Sequence, residues 1–404
     1  MTARRALHFI KRCTGKPSPS LVYSKPVPLA SKPTEKVAVV GLFTDPENGV
    51  SNFNNRMFLE NSEIAACDVY IEDAEYLRSK DARFRPLSSL RANATHYAQI
   101  LFIVANSKEH VCILDSLKTV PFDPKTKIHI YIHDVFCWHV LHAYYKATLA
   151  VLIEEAYSER PFLRPDSFQL LAERGILGMR LLMPRRGKFS LIVNSAYAAR
   201  LVSDDIGLAG NPEVRRMFHP VIKAPLTTDT KTERASLRVG TFGHINSFKG
   251  MKVLFHAVKL ISASRSVTLV VAGPNVYELE TDLAELRNHG VTVEARSNLS
   301  EFELLGAMAS VDVAVQLRPY SYGESSGVVS HLIALGKRLV VSEHGSFAEY
   351  GDAVFFVDRF PLPEELAEVI LNASKKDNTE AVVKYASDHS VSKFSAELNA
   401  ILTD

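Results

Sequence analysis

The chain has 404 residues, with 47 Lys and Arg against 45 Asp and Glu and a formal net charge of +2. So even a balance, with no long basic stripe, leaves no electrostatic footprint for nucleic acid. Hydrophobic residues at 47% and charged residues at 23% exclude a disordered chain, and the length predicts two domains.

The first stretch, residues 1–35, opens on the basic MTARRALHFIKR and continues Pro- and Ser-rich. It reads as a flexible leader, at most a weak peripheral membrane contact. No apolar run approaches the ~18 residues that span a bilayer. Cys13, Cys67, Cys112 and Cys137 are scattered without CxxC spacing, as expected of reduced thiols in a cytoplasmic protein.

From Lys36 the pattern alternates. KVAVVGLF predicts a buried strand, TDPENGVSNFNN a loop with Asn48-Gly49 at its tip, and RMFLENSEIA a helix. CDVYI, AQILFIVAN, KIHIYIHD and FSLIVNS are further strands. SKEHVCILDSLK, WHVLHAYYKATLAVLIEEAY and PDSFQLLAERGILGMRLL are helical patterns between them. Such alternation predicts an α/β domain with a parallel sheet over residues 36–220. The pattern lapses across 221–236, a linker.

It restarts over 237–385 with the strands SLRVGTFG, SVTLVVAG, VTVEA, VDVAVQL, GKRLVVS and AVFFV. The helices between include KGMKVLFHAVKLI and SEFELLGAMASV, the latter opened by a Ser300–Glu303 capping box. A helix within 386–404 closes the chain. Two α/β halves joined by a linker predict a cleft between them.

Several stretches could carry chemistry. GESSG, Gly323 to Gly327, ends a strand and opens a helix, where free backbone N–H groups and the helix dipole suit an anion. Glu324 could equally steady its own helix start, worth under ~1 kcal/mol. Yet Gly327 weakens a helix, which makes Glu-Ser-Ser-Gly a poor plain cap; Ser325, Ser326 and Gly327 would then donate to a sugar or phosphate. Lys249, in Lys-Gly at another helix start, puts an ammonium beside a second ring of amides; a solvated lysine is the plainer alternative. Arg318 follows VDVAVQL and could reach phosphate or make a surface ion pair. His133 and Asp134 end KIHIYIHD and could look into the cleft. His139 and His142 follow on the next helix, and the histidines here lack the spacing of a zinc site. There is no Asp-x-Asp pair, no GxGxxG after a strand and no GxxxxGK[ST], which argues against nicotinamide dehydrogenases and P-loop NTPases.

In its second half the chain resembles glycosyltransferase family 4. The resemblance rests on VGTFGHINSFKG before an apolar helix, VVAGP, SEFELLGAMASVDVAVQLR and GESSGVVSHLIALGKRLVVSEHGSFAE; the first half contributes YIHD and LIVNSAYAARLV more loosely. It implies a GT-B fold of two Rossmann-like domains facing across a cleft, an acceptor side over 36–220 and a donor side over 237–385. It also implies transfer of a hexose or deoxyhexose from a nucleotide-diphosphate sugar to a glycan or lipid-linked acceptor, with retention, without metal or other cofactor, in polysaccharide or glycolipid assembly at the inner membrane face.

By the same resemblance Lys249 meets the diphosphate, Glu324 the donor sugar and His133 the sugar from the opposite wall. Gly243, Gly273, Arg296 and Leu299 line the nucleotide, and Gly49 with Val50 and Ser51 approaches the donor phosphate. Two positions depart from the family. His244 stands where an arginine is common, and Leu332 stands where the second glutamate of a pair would fall. The chain fits a subset with a GE[ST]SG turn, in which His331 or another group meets the ribose. A nucleotide-sugar-binding protein without catalysis, and a nucleotide-sugar epimerase, are the rival readings.

Overall fold

The computed structural model describes residues 33–403 except 46–47, 80, 160–166, 185–188, 208–211, 223–234 and 245–248. Most of the expected leader and linker therefore lies outside the described residues.

The first half forms a sheet of seven parallel strands: β1 Val37–Val40, β2 Asp68–Ile71, β3 Phe84–Pro86, β4 Gln99–Val104, β5 Lys127–Ile132, β6 Phe189–Val193 and β7 Glu213–Arg216. Their order is β3-β2-β1-β4-β5-β6-β7. The second half forms six more: β8 Leu237–Phe242, β9 Val267–Ala272, β10 Thr292–Arg296, β11 Val313–Gln316, β12 Arg338–Ser342 and β13 Phe355–Val357, in the order β10-β9-β8-β11-β12-β13. Every ladder is parallel, as in β4 beside β5 and β8 beside β9. The central strands are mostly apolar because helices cover both faces; β4 and β9 are buried at every position. This is the GT-B architecture. In both sheets the strand order reverses after the first strand, β1 beside β4 and β8 beside β11, and each reversal opens a crevice at the C-terminal strand ends.

The elements that pattern reading misses are polar. Edge strands β3 and β7 read FRP and EVRR; short, charged or Pro-containing edges resist pairing with other chains but carry little apolar signal. The helix Thr379–Asp388 buries only Val382 fully. Around Asn48 the expected loop tip is instead a helix start. The Asn48 carboxamide oxygen accepts from Val50 N at 2.9 Å, and the helix Gly49–Asn54 runs into a π-helical turn, Asn55–Leu59.

The last helix, Val391–Thr403, returns to the first half. Phe394, Leu398, Ile401 and Leu402 pack in one core with Val37, Val39 and Phe53. Asn61 Nδ2 donates to Ser395 Oγ at 2.7 Å. The chain thus crosses between the halves twice, and the crossings touch: Val221 N donates to the His389 carbonyl at 2.7 Å, and Val221 bridges Ser390 in parallel.

Candidate active site

Several of the residues expected on the donor side gather where β8 and β11 diverge. Gly243 ends β8 with φ 87° and Gly273 ends β9, so tightly opposed that a Cβ on Gly273 would overlap the Gly243 carbonyl. Side chains are excluded, and a ligand can approach bare backbone. Lys249 folds back over this edge, its Nζ donating to the Phe242 carbonyl at 3.2 Å. Burial, with the Arg318 guanidinium nearby, pushes the Lys249 ammonium down to about 7. The helix it introduces, Met251–Ser262, has Gly250 at its N-cap and no side-chain cap.

Arg318 leaves the end of β11 and lies over the Phe347 ring, 4.7 Å from its centroid. Its Nη1 donates to the Glu324 carbonyl at 2.9 Å and lies 3.3 Å from Glu324 Oε1. Glu324 therefore does not cap its helix. Its Oε2 accepts from Tyr322 N at 2.7 Å and braces the turn, while Ser346 Oγ donates to the Glu324 carbonyl at 2.7 Å. Capping falls to Ser326, whose Oγ accepts from Val329 N. Gly327 has open space around it, and a Cβ on Gly243 would meet Val328 at 2.8 Å and Lys249 Nζ at 3.3 Å, so the start of this helix and the Lys249 ammonium flank the same glycine. Ser325 faces a crevice shared with Asn194, Ser195 and Ser346.

On the opposite wall, His133 and Asp134 follow β5. The His133 ring meets Phe53 at 4.9 Å and Tyr131 at 5.0 Å, edge on. Burial, with His219 and His110 nearby, pushes it down to about 3. It is neutral, and its buried Nε2 has no hydrogen-bond partner among the described residues. Asp134 Oδ2 accepts from Asn106 N at 3.2 Å. Burial and the facing Glu324 push its carboxyl up to about 6, against the pull of the Asn106 amide and Arg318.

Other expected residues lie further out. Arg296 is exposed and paired with Glu294 at 2.9 Å, although its carbonyl holds Gly273 N at 3.0 Å. Leu299 packs on the core beneath the helix Gly327–Ala334. His244 is exposed, and 245–248 of its loop lie outside the described residues. Gly49 has open space at the N-terminus of its helix. Leu332 is fully buried, so its position cannot offer a polar group to the cleft. His331, on the same helix, is largely buried and lies 3.9 Å from Glu301, and Glu301 also bonds Arg56 of the first half. His139 and His142 pack around Phe168. Among the described residues no group of His, Cys, Asp and Glu is arranged to hold a metal ion.

Sequence reading passed over the contacts that join the halves. The Glu349 carboxylate accepts from Ala196 N at 3.0 Å and Tyr197 N at 2.9 Å, at the start of the helix Ala196–Ile206, and lies 3.4 Å from Arg216. Gly323, with φ 90°, lies so close to Ala198 that a Cβ would come within 2.8 Å of it. Tyr322 stacks on Phe136 at 5.0 Å. The available signal was Ser195, a helix cap directly after the strand FSLIV.

Solved structures similar to this chain are GT-B glycosyltransferases. Anabaena HepE in complex with UDP aligns over 91% of this chain and all of its own, with a TM-score of 0.62 and 14% identity. WaaG, a glycosyltransferase involved in lipopolysaccharide biosynthesis, aligns over 91% and 99%, with a TM-score of 0.57 and 14% identity. Sucrose-phosphate synthase from Thermosynechococcus elongatus aligns over 92% and 98%, with a TM-score of 0.55 and 14% identity. At such identities the likeness is one of fold. No protein-family model matches the chain, and no curated protein matches its sequence.

Proposed function

We propose that the protein is a glycosyltransferase that moves a hexose or deoxyhexose from a nucleotide-diphosphate sugar to an acceptor hydroxyl. The observation that carries this reading is the convergence of Lys249, Arg318 and a helix start on one glycine-lined strand edge. That arrangement suits a diphosphate. Amides at the helix start and two cationic side chains meet the charge that develops as the anomeric carbon–oxygen bond to phosphate breaks. Glu324, held by Tyr322 N, turns toward the sugar hydroxyls, and neutral His133 orients the sugar from the first half. Closure of the halves excludes water.

The finer parts of the reading are family 4 membership with a GESSG-type turn, retention of configuration, independence from metal, and a role in polysaccharide or glycolipid assembly at the inner membrane face. They rest on the sequence resemblance. Among the described residues no helix is long and apolar enough to cross a membrane. UDP-glucose is the first donor to try, because HepE was solved with UDP and with UDP-glucose.

The test is a thermal-shift screen with UDP, GDP, ADP and dTDP, followed by nucleotide release from the matching sugar nucleotides. A ligand that binds the folded state raises the melting temperature. Stabilisation by one nucleotide with release from its sugar supports transfer. Stabilisation without release supports the second reading, a binding protein on the same fold, which Leu332 at the expected second carboxylate favours. No shift with any of the four removes both.

A further inference from the structure

We propose that Asn194 binds one hydroxyl of the donor sugar and so selects the hexose; this rests on the transferase reading above and narrows its substrate. Asn194 follows β6 and is only 6% exposed. One end of its amide is fixed: the Tyr131 hydroxyl, itself fully buried, donates to Asn194 Oδ1. The donor end is not. Nδ2 is buried and has no hydrogen-bond partner among the described residues. A buried donor left unmatched is costly and uncommon, and a ligand that arrives later is one physical reason to keep it.

Asn194 lines the crevice between the halves, together with His219, Ser325 and Ser346. That crevice runs along the turn that carries Glu324. Ser325 is the next residue in the chain, and Ser346 Oγ donates to the Glu324 carbonyl at 2.7 Å. A sugar bonded to the Glu324 carboxylate thus stands one residue from the crevice.

Size and charge decide what enters. The interior measures about 20 Å³, room for a water-sized group and too little for an acetamido group. Arg216 and Glu349 also line it, but they lie 3.4 Å from each other and offset each other's charge. The Glu349 carboxylate further accepts from Ala196 N and Tyr197 N, and a ligand carboxylate there would meet a like charge. Burial pushes the His219 imidazole down to about 4, so it is neutral at pH 7. Its Nδ1 donates to the Pro220 carbonyl at 3.2 Å, which leaves Nε2 an acceptor. A small wall with an amide donor, an imidazole acceptor and no net charge suits a hydroxyl, which accepts and donates at once.

The test is calorimetry on the full chain, with glucose carried on UDP or on whichever nucleotide stabilises the fold. The ligands are the nucleotide, its glucose conjugate, and four analogues of the conjugate that lack the sugar hydroxyl at position 2, 3, 4 or 6. In the wild type, the analogue missing the hydroxyl that reaches Asn194 is expected to bind ~10-fold more weakly than the glucose conjugate, because it strands the amide. In Asn194→Leu, the glucose conjugate is expected to lose the same factor, that analogue to lose nothing further, and the bare nucleotide to stay within about twofold. Asn194→Ala repeats the cycle if the leucine variant loses its melting transition. Losses that simply add for all four analogues overturn the assignment and leave the crevice to an ordered water. Equal weakening of nucleotide and conjugate overturns it too, since the amide then only supports the cleft. A wild type that binds no nucleoside diphosphate overturns the transferase reading and this inference together.

Discussion

The C-terminal strand ends of the two sheets share a topology and differ in chemistry. The second half presents bare glycine backbone with Lys249 and Arg318 around it, a cationic and narrow edge. The first half presents His133, Asp134, Asn194 and Ser195, an edge of polar, hydrogen-bonding groups. The same strand order therefore carries a glycine edge with two basic side chains on one side and a neutral and acidic polar wall on the other. Sheets set where a site can be; the few residues after each strand set what it does.

The largest expected break in this contrast is Lys249→Ala, which strips the glycine edge of its half-buried cation. UDP release from UDP-glucose is expected to fall by ~10²–10³-fold with the melting temperature retained, measured by steady-state kinetics and calorimetry. The lysine also sharpens the contrast through pH. Its ammonium is lost as pH rises through about 7, so kcat/KM is expected to fall on the basic side. Binding UDP restores the charge. At pH 8, calorimetry in buffers of different ionisation enthalpy should record uptake of about one proton, which Lys249→Ala abolishes.

Glu324→Gln comes next. The amide keeps an acceptor for Tyr322 N but loses the charge beside Arg318 and Asp134, and turnover is expected to drop by ~10-fold or more with UDP affinity little changed. Equal turnover in variant and wild type would take Glu324 out of the chemistry.

Gly273→Ala tests the shape of the glycine edge. The methyl would overlap the Gly243 carbonyl, and a cost of about 1–3 kcal/mol is expected, read as a lower denaturation midpoint together with weaker UDP binding. The smallest effect is expected from Glu349→Ala. It removes the carboxylate from the start of the helix Ala196–Ile206 and from Arg216, about 1 kcal/mol, and loosens the contact between the halves. A larger radius of gyration by small-angle scattering, reversed by donor, is the expected readout.

How much of this the sequence disclosed follows the range of each interaction. Lys249 and the GESSG turn were legible because a strand end, a helix start and the chemistry between them lie within a few residues. Asp134 stood in plain view beside His133, but its environment depends on Asn106 one strand away and Glu324 in the other half. Glu349 binds amides 153 and 152 residues away, which no local pattern encodes. The charged edge strands β3 and β7 were lost because burial, the source of the apolar signal, stops at a sheet's margin. The helix at Gly49 was hidden by an Asn-Gly pair that elsewhere makes a turn; here the asparagine oxygen caps instead.

The paired crossings at Val221 and His389–Ser390 have a mechanical consequence. A single tether would let the two bodies swivel in any direction. Two segments joined by one parallel bridge, with Phe218 against His389 at 4.9 Å, would act as an axle and favour rotation about one line. Because the tail beyond that axle is anchored by Phe394 in the first half, any opening of the cleft would bend the same few residues.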